Sequence, residues 1–179
     1  RTAASLRAFS RFCYAEELIE AAIAALIDLP RQTPRLPDTL DQQEVESLLQ
    51  AAGGEGSTAL RDRALLELLY AAGLRISEAL SLDRQDLSIP GGFVRVIGKG
   101  DKERLVPVGD VALEAIDAYL SGRDARRPED AEAPSGTEPL FLSRRGRRLD
   151  RMGAWRVMRR AASRARLSGR VTPHTLRHG

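Results

Sequence analysis

Phe93-Val94-Arg95-Val96-Ile97-Gly98-Lys99-Gly100-Asp101-Lys102-Glu103-Arg104-Leu105-Val106-Pro107-Val108 is the stretch whose reading decides the fold. Phe93 to Ile97 and Arg104 to Val108 are rich in β-branched residues, and Gly98 to Lys102 between them reads as a hairpin loop. Pro107 has no N–H to give to a ladder, so the second run is expected at a sheet edge. Lys99 sits on a glycine-flanked tip, free to reach outward. Apart from a short strand expected at Leu140 to Leu142, the rest of the chain carries helical periodicity. The expected fold is therefore mainly α (α+β), with one small antiparallel β-sheet.

Upstream of the hairpin, Asp41-Gln42-Gln43-Glu44 has the pattern of a capping box, and Val45, Leu48, Leu49 and Ala52 then share one helical face. Gly53-Gly54 ends that helix. A second is expected from about Thr58 to Ala72, with Leu60, Ala64, Leu65, Leu68 and Leu69 apolar and Gly73 in the left-handed closing position. A third begins at or near Arg75, with Ile76, Ala79 and Leu80 inward. Arg75 thus stands at a helix start beside a glycine, where backbone donors and the dipole favour an anion. Glu78 lies one turn later and is placed either to orient Arg75 or to form an ordinary surface pair with it.

Downstream, Val111 to Leu120 is amphipathic, and Gly122 to Pro139 reads as an exposed polar connection. Ser143 to Arg148 is a basic turn. Asp150 caps a long final helix to about Leu167, with Met152, Trp155, Met158, Ala162 and Ala165 expected inward and Arg151, Arg156, Arg159, Arg160 and Arg164 outward. Pro173-His174-Thr175-Leu176-Arg177-His178 follows. A helix starting at or just after Pro173 turns His174 and Arg177 the same way, and puts His178 about 100° from Arg177, a packing or supporting position.

At the other end, Leu6, Phe9, Cys13, Leu18, Ala22, Ile23 and Leu26 recur at helical intervals, with a break near Tyr14-Ala15. Pro30, Pro34 and Pro37, interleaved with Arg31 and Arg35, make an extended linker. The expected division is a helical piece over residues 1–29, a linker over 30–37 and a second domain over 38–179. The first piece is too short to bury a core alone, and the chain is expected to begin inside a longer protein.

Composition sets the frame for the chemistry. With 42% apolar and 30% charged residues the chain is of ordinary globular type. The longest apolar run, Ala21 to Ile27, cannot span a bilayer, and no signal-peptide pattern opens the chain, so a cytoplasmic location without membrane contact is expected. The single cysteine, Cys13, makes no internal disulfide and is expected as a buried apolar thiol. Net charge is +3, but residues 144–170 hold eleven arginines against one acid, Asp150. That basic turn and helix form a nucleic-acid footprint, with a solvated arginine face as the plain alternative. Arg144, Arg145, Arg147, Arg148, Arg151, Arg156, Arg159 and Arg160 are the candidate DNA-contacting residues.

Arg75, Lys99, His174 and Arg177 together suit phosphoryl transfer that needs neither a metal nor a cofactor. Two arginines can clamp the non-bridging oxygens of a phosphodiester, a lysine can protonate the leaving alkoxide, and a histidine can take a proton or hydrogen-bond the phosphorane. With no P-loop, acidic cluster or zinc spacing in the sequence, a nucleophile on the protein itself becomes attractive.

At these residues the sequence resembles the tyrosine recombinases, most closely the Xer type. Leu26 to Pro30 through Leu36-Pro37 resembles the junction between a helical core-binding domain and the catalytic domain. Tyr70 to Glu78, Val96 to Arg104 and Pro173 to His178 resemble the segments that carry the first catalytic arginine, the catalytic lysine and the His-x-x-Arg motif. The resemblance implies that Arg75 and Arg177 clamp the scissile phosphate, Lys99 is the general acid, and His174 assists proton transfer. It implies duplex DNA as substrate and a homo- or hetero-tetramer with a paired recombinase. It also implies chromosome dimer resolution, with a phage or transposon integrase of the same chemistry, or a DNA-binding module without catalysis, as alternatives. The family's nucleophilic tyrosine follows the His-x-x-Arg segment, and Tyr14, Tyr70 and Tyr119 read as structural. Residues 1–179 are accordingly expected to be inactive for cleavage alone.

Overall fold

The computed structural model describes residues 2–19, 40–54, 56–98, 101–125, 136–167, 171–172 and 175–176. Two units divide the chain, Arg1–Leu36 and Pro37–Gly179. In the first, helix α1 spans Thr2–Ala15 and stops at the expected break. Cys13 is half-buried rather than buried, and Leu6, Phe9, Phe12 and Leu18 are exposed. The expected linker and the apolar residues Ala22, Ile23 and Leu26 lie outside the described residues.

In the second unit, the Asp41 carboxylate accepts from the Glu44 N–H at 2.8 Å while Glu44 accepts from the Asp41 N–H at 3.0 Å. This capping box starts α2, Gln42–Ala52, whose Val45, Leu48, Leu49 and Ala52 are all buried. Helix α3, Ser57–Ala71, is central: Ala64, Leu65, Leu66, Leu68 and Leu69 are buried, and so are Arg61, Asp62 and Glu67. It packs against α2 and along α5, Asp110–Asp124. Gly73 takes a φ of +55°, the left-handed turn that separates α3 from α4, Ile76–Ser81.

A 3-10 turn at Arg84–Asp86 leads into a sheet of order β1-β2-β3. β2, Phe93–Ile97, and β3, Glu103–Pro107, pair antiparallel, with Val94 opposite Val106 and Val96 opposite Arg104. β3 is an edge strand, as its proline requires. Val94 and Val96 point into the core. The sheet has one strand more than the sequence pattern shows: β1, Leu87–Ser88, is a two-residue strand too short for an alternation signal. Leu140 to Leu142 forms no ladder; only single bridges, Asp83 to Pro139 and Leu142 to Arg148, hold that segment.

Helix α6, Arg151–Arg164, is capped by Asp150, whose carboxylate accepts from the Gly153 N–H at 2.6 Å. Its inward face corrects the expectation. Ala154, Val157, Met158, Ala161 and Ala162 are buried, an i, i+3, i+4, i+7, i+8 set whose small residues allow close approach to α2 and α4. Met152 and Trp155, expected in the core, are 56% and 46% exposed. The indole is instead covered by the Arg159 guanidinium, 4.8 Å from the ring centroid. Among the described residues no helix is long and apolar enough to cross a membrane.

Candidate active site

Arg75 is anchored by its neighbours: Leu74 before it is buried and Ile76 after it packs on the core. It occupies the residue preceding α4 in extended conformation, φ −68° and ψ 145°. Its backbone N–H donates to Glu78 Oε2 at 2.9 Å and its Nη1 donates to Glu78 Oε1 at 3.1 Å. The Arg104 Nη2, reaching across from β3, donates to the same Oε2 at 3.0 Å. Burial by itself would raise the Glu78 pKa; the Arg75 N–H, followed by the Arg104 and Arg75 guanidinium groups, outweighs it and holds the carboxyl below its ordinary value. Glu78 is therefore the hub between α4 and the hairpin, more than the surface pair left open by its spacing.

The Arg75 side chain is 64% exposed while that of Glu78 is 9% exposed. One edge of the guanidinium is thus held while other N–H donors remain for an oxyanion. It borders an open cleft of about 490 Å³ lined by Arg75, Ser77, Glu78, Ser81, Ile97 and Gly98. The strand end that enters Lys99 therefore forms one wall and the Arg75 turn the other. Size does not select this cleft, since a hollow of about 620 Å³ lies between the start of α3 and the Ser143–Gly146 turn. Its claim rests on the exposed guanidinium and the hairpin end.

Lys99, His174, Arg177 and His178 lie outside the described residues, so of the four proposed catalytic side chains the structure positions Arg75. The start expected near Pro173 is present in its described neighbours. The Thr175 N–H donates to Thr172 Oγ1 at 3.1 Å, the Thr172 N–H donates to Thr175 Oγ1 at 2.7 Å, and the Leu176 N–H reaches the Thr172 carbonyl at 3.1 Å. Thr175 and Leu176 are helical, and Leu176 is fully buried. Among the described residues no cluster of His, Cys, Asp and Glu is arranged to hold a metal ion.

The basic segment divides into two kinds of arginine. All eight candidate arginines are exposed, and two of them, Arg148 and Arg160, also hold acids of other elements. Arg148 and Arg160 correct the expectation of a run without acid partners. Arg148 pairs with Asp83 and donates to the Leu80 and Leu82 carbonyls at 3.0 Å each, closing the end of α4. Arg160 reaches Asp62 at 2.7 Å. Both acids are distant in sequence, so counting charges within the run did not find them.

Arg104 is the residue that sequence reasoning missed. No local signal marks it: its side chain is 41% exposed, and it is the buried Glu78, 26 positions earlier, that takes it as a partner. Tyr70 and Tyr119 sit elsewhere in the second unit. Tyr119 is buried, stacks on Phe141 at 5.9 Å between centroids, and accepts from the Leu142 N–H at 3.0 Å. Neither it nor Tyr70, at the end of α3, lines the Arg75 cleft.

The sequence description of the phage integrase family matches residues 38–179. Over 99% of its length the chain is similar to proteins named tyrosine recombinase XerD, at 46% identity to that of Mycobacterium tuberculosis and 38% to that of Halalkalibacterium halodurans. It is 40% identical to tyrosine recombinase XerC of Pelotomaculum thermopropionicum. The chain spans 58% of the length of each of these relatives. Among solved structures it resembles the XerA recombinase, at 27% identity and a TM-score of 0.66 over 92% of this chain and 54% of that one. The Tn1549 transposon integrase, at 20% identity, shares the fold with a TM-score of 0.72 over 99% of this chain and 62% of that one. The order of motifs along the sequence and the helical fold with its small sheet agree with these likenesses: the chain belongs to the phage integrase family, the tyrosine recombinases.

Proposed function

We propose that the protein carrying this chain is an Xer-type site-specific recombinase that cuts and rejoins duplex DNA. A tyrosine hydroxyl attacks phosphorus, the 5′ oxygen leaves with a proton from Lys99, and the 3′-phosphotyrosine so formed is later attacked by the 5′ hydroxyl of another strand. Arg75 and Arg177 hold the non-bridging oxygens as charge develops on them, and His174 assists proton transfer. The observation that carries this reading is Arg75, fixed at one edge by Glu78 and open to a cleft whose far wall is the strand end entering Lys99. Identity of 38–46% to proteins named XerD favours the Xer role, in chromosome dimer resolution, over a mobile-element integrase. Assembly as a tetramer on two DNA sites, with a second recombinase or a second pair of the same protein, belongs to the same proposal, as does action in the cytoplasm.

The nucleophile lies outside residues 1–179 in this reading. Tyr119 supports that, because its hydroxyl is buried and bonded to the backbone. A nicked suicide substrate and denaturing electrophoresis test both points. Full-length protein is expected to give a covalent DNA adduct, Arg75→Ala to lower its rate by about 10²- to 10³-fold, and residues 1–179 alone to give none. Adduct formation at full rate in Arg75→Ala would leave the chain as a DNA-binding module only.

A further inference from the structure

The function above needs Arg75, but it does not explain why β3 sends an arginine to the acid that holds it. Arg104 differs from an ordinary surface ion pair, which contributes little. Its partner Glu78 has a side chain only 9% exposed, and two further donors from Arg75 converge on the same carboxylate. The register sets Arg104 opposite Val96, and its side chain, 41% exposed, reaches from there to α4.

Gly98 supplies the second observation. Its φ lies outside the positive range, so the backbone there does not demand glycine. The contact is close: a Cβ on Gly98 would come 3.1 Å from Arg104 Nη1, so the guanidinium lies directly over this glycine. The Gly98 N–H donates to the Lys102 carbonyl at 2.8 Å, which closes the hairpin ladder at this point. The first glycine of Gly98-Lys99-Gly100 is thus the seat of the Arg104 guanidinium.

We propose that Arg104 is a positioning residue: seated over Gly98 and bound to the Glu78 carboxylate, it joins the β2–β3 hairpin to Arg75, so that the two walls of the cleft keep one separation. Glu78 accepts from both arginines, so a shift of the hairpin end is transmitted to the Arg75 guanidinium through one carboxylate. The inference rests on the recombinase reading, because cleft geometry matters only if both walls address one phosphate.

Single-turnover cleavage of a suicide substrate by the full-length protein, at saturating DNA, tests it beside DNA affinity and thermal unfolding. Arg104→Ala is expected to slow cleavage by about 10²-fold, the cost of small misplacement of catalytic groups, with DNA affinity unchanged. Arg104→Gln keeps much of the side chain's length yet removes the charge that holds Glu78, and should slow cleavage in the same way; it decides the matter should Arg104→Ala fail to fold. The double variant Arg104→Ala with Glu78→Ala should be no slower than the slower single, because both break one link. Wild-type cleavage by a folded Arg104→Ala or by Arg104→Gln, or rate losses that multiply in the double variant, would overturn the proposal. Arg75→Ala separates the two levels. If it cleaves normally the recombinase reading fails, whereas if it is inactive while Arg104→Ala and Arg104→Gln cleave normally, the positioning role alone fails.

Discussion

Asp62 is a buried carboxylate that receives the Arg61 Nε at 2.9 Å and the Arg160 Nη2 at 2.7 Å, while Arg61 Nη1 also donates to the Leu142 carbonyl at 2.9 Å. The two arginines are not equivalent, since the Arg61 side chain is 7% exposed and that of Arg160 is 49% exposed. Asp62→Ala strands a buried guanidinium and is expected to cost about 3–5 kcal/mol in denaturant unfolding. Arg160→Ala leaves Asp62 paired with Arg61 and should cost about 1 kcal/mol or less. Equal losses would show that burial of Arg61 is not the source. Glu78 sets a second expectation at this scale. Its folded pKa lies below the ordinary value, so its contribution is present above the usual carboxylate range and is lost as pH falls through the lowered value. The stability difference between wild type and Glu78→Gln should therefore be largest near neutral pH and shrink in acid; a difference that grows in acid would reverse the assigned sign.

At the scale of elements, α6 and the turn before it carry two kinds of arginine. On α6 Arg156 and Arg159, the latter lying over Trp155, are exposed, and the proposed function has them meet phosphates, whereas Arg148 just before the helix is engaged by the carbonyls that end α4. Fluorescence anisotropy with duplex DNA across a salt series separates them. Arg156→Ala with Arg159→Ala should flatten the slope of log affinity against log salt by about 0.9 for each phosphate no longer neutralised, without changing the unfolding temperature. Arg148→Ala should lower that temperature and leave the slope. The Asp41 cap is a simpler case: its removal leaves the Glu44 N–H without its carboxylate partner, and Asp41→Ala should cost about 1 kcal/mol in denaturant unfolding.

Across the whole molecule, residues 38–179 fall within one family match and form most of one unit, built around α3. Leu65 is fully buried there, within the core. Leu65→Ala should cost about 2–5 kcal/mol, and because the same helix leads through Gly73 into Arg75, cleavage in the full-length protein should fall as the fold loosens. The relatives extend well beyond the span matched, the chain covering 58% of each, so DNA closure and tetramer assembly are to be tested on the full-length protein.

Local signals in the sequence determined the elements of this protein: the capping box at Asp41, the left-handed turn at Gly73, the proline of an edge strand at Pro107 and the cap at Asp150 each involve groups within about one turn of each other. The proposed catalytic set, Arg75, Lys99, His174 and Arg177, rests on short motifs of the same local kind, and of its members the structure describes Arg75. The tertiary structure alone decided the partnerships made over long separations. Arg104 with Glu78, Arg148 with Asp83 and Arg160 with Asp62 join residues 26, 65 and 98 positions apart. The same holds for α6, where Trp155 and Met152 were expected inward because they are large and apolar, yet the alanine-lined face is the one buried. A helix buries the face that fits its neighbour most closely, and which neighbour it meets is a property of the assembled chain.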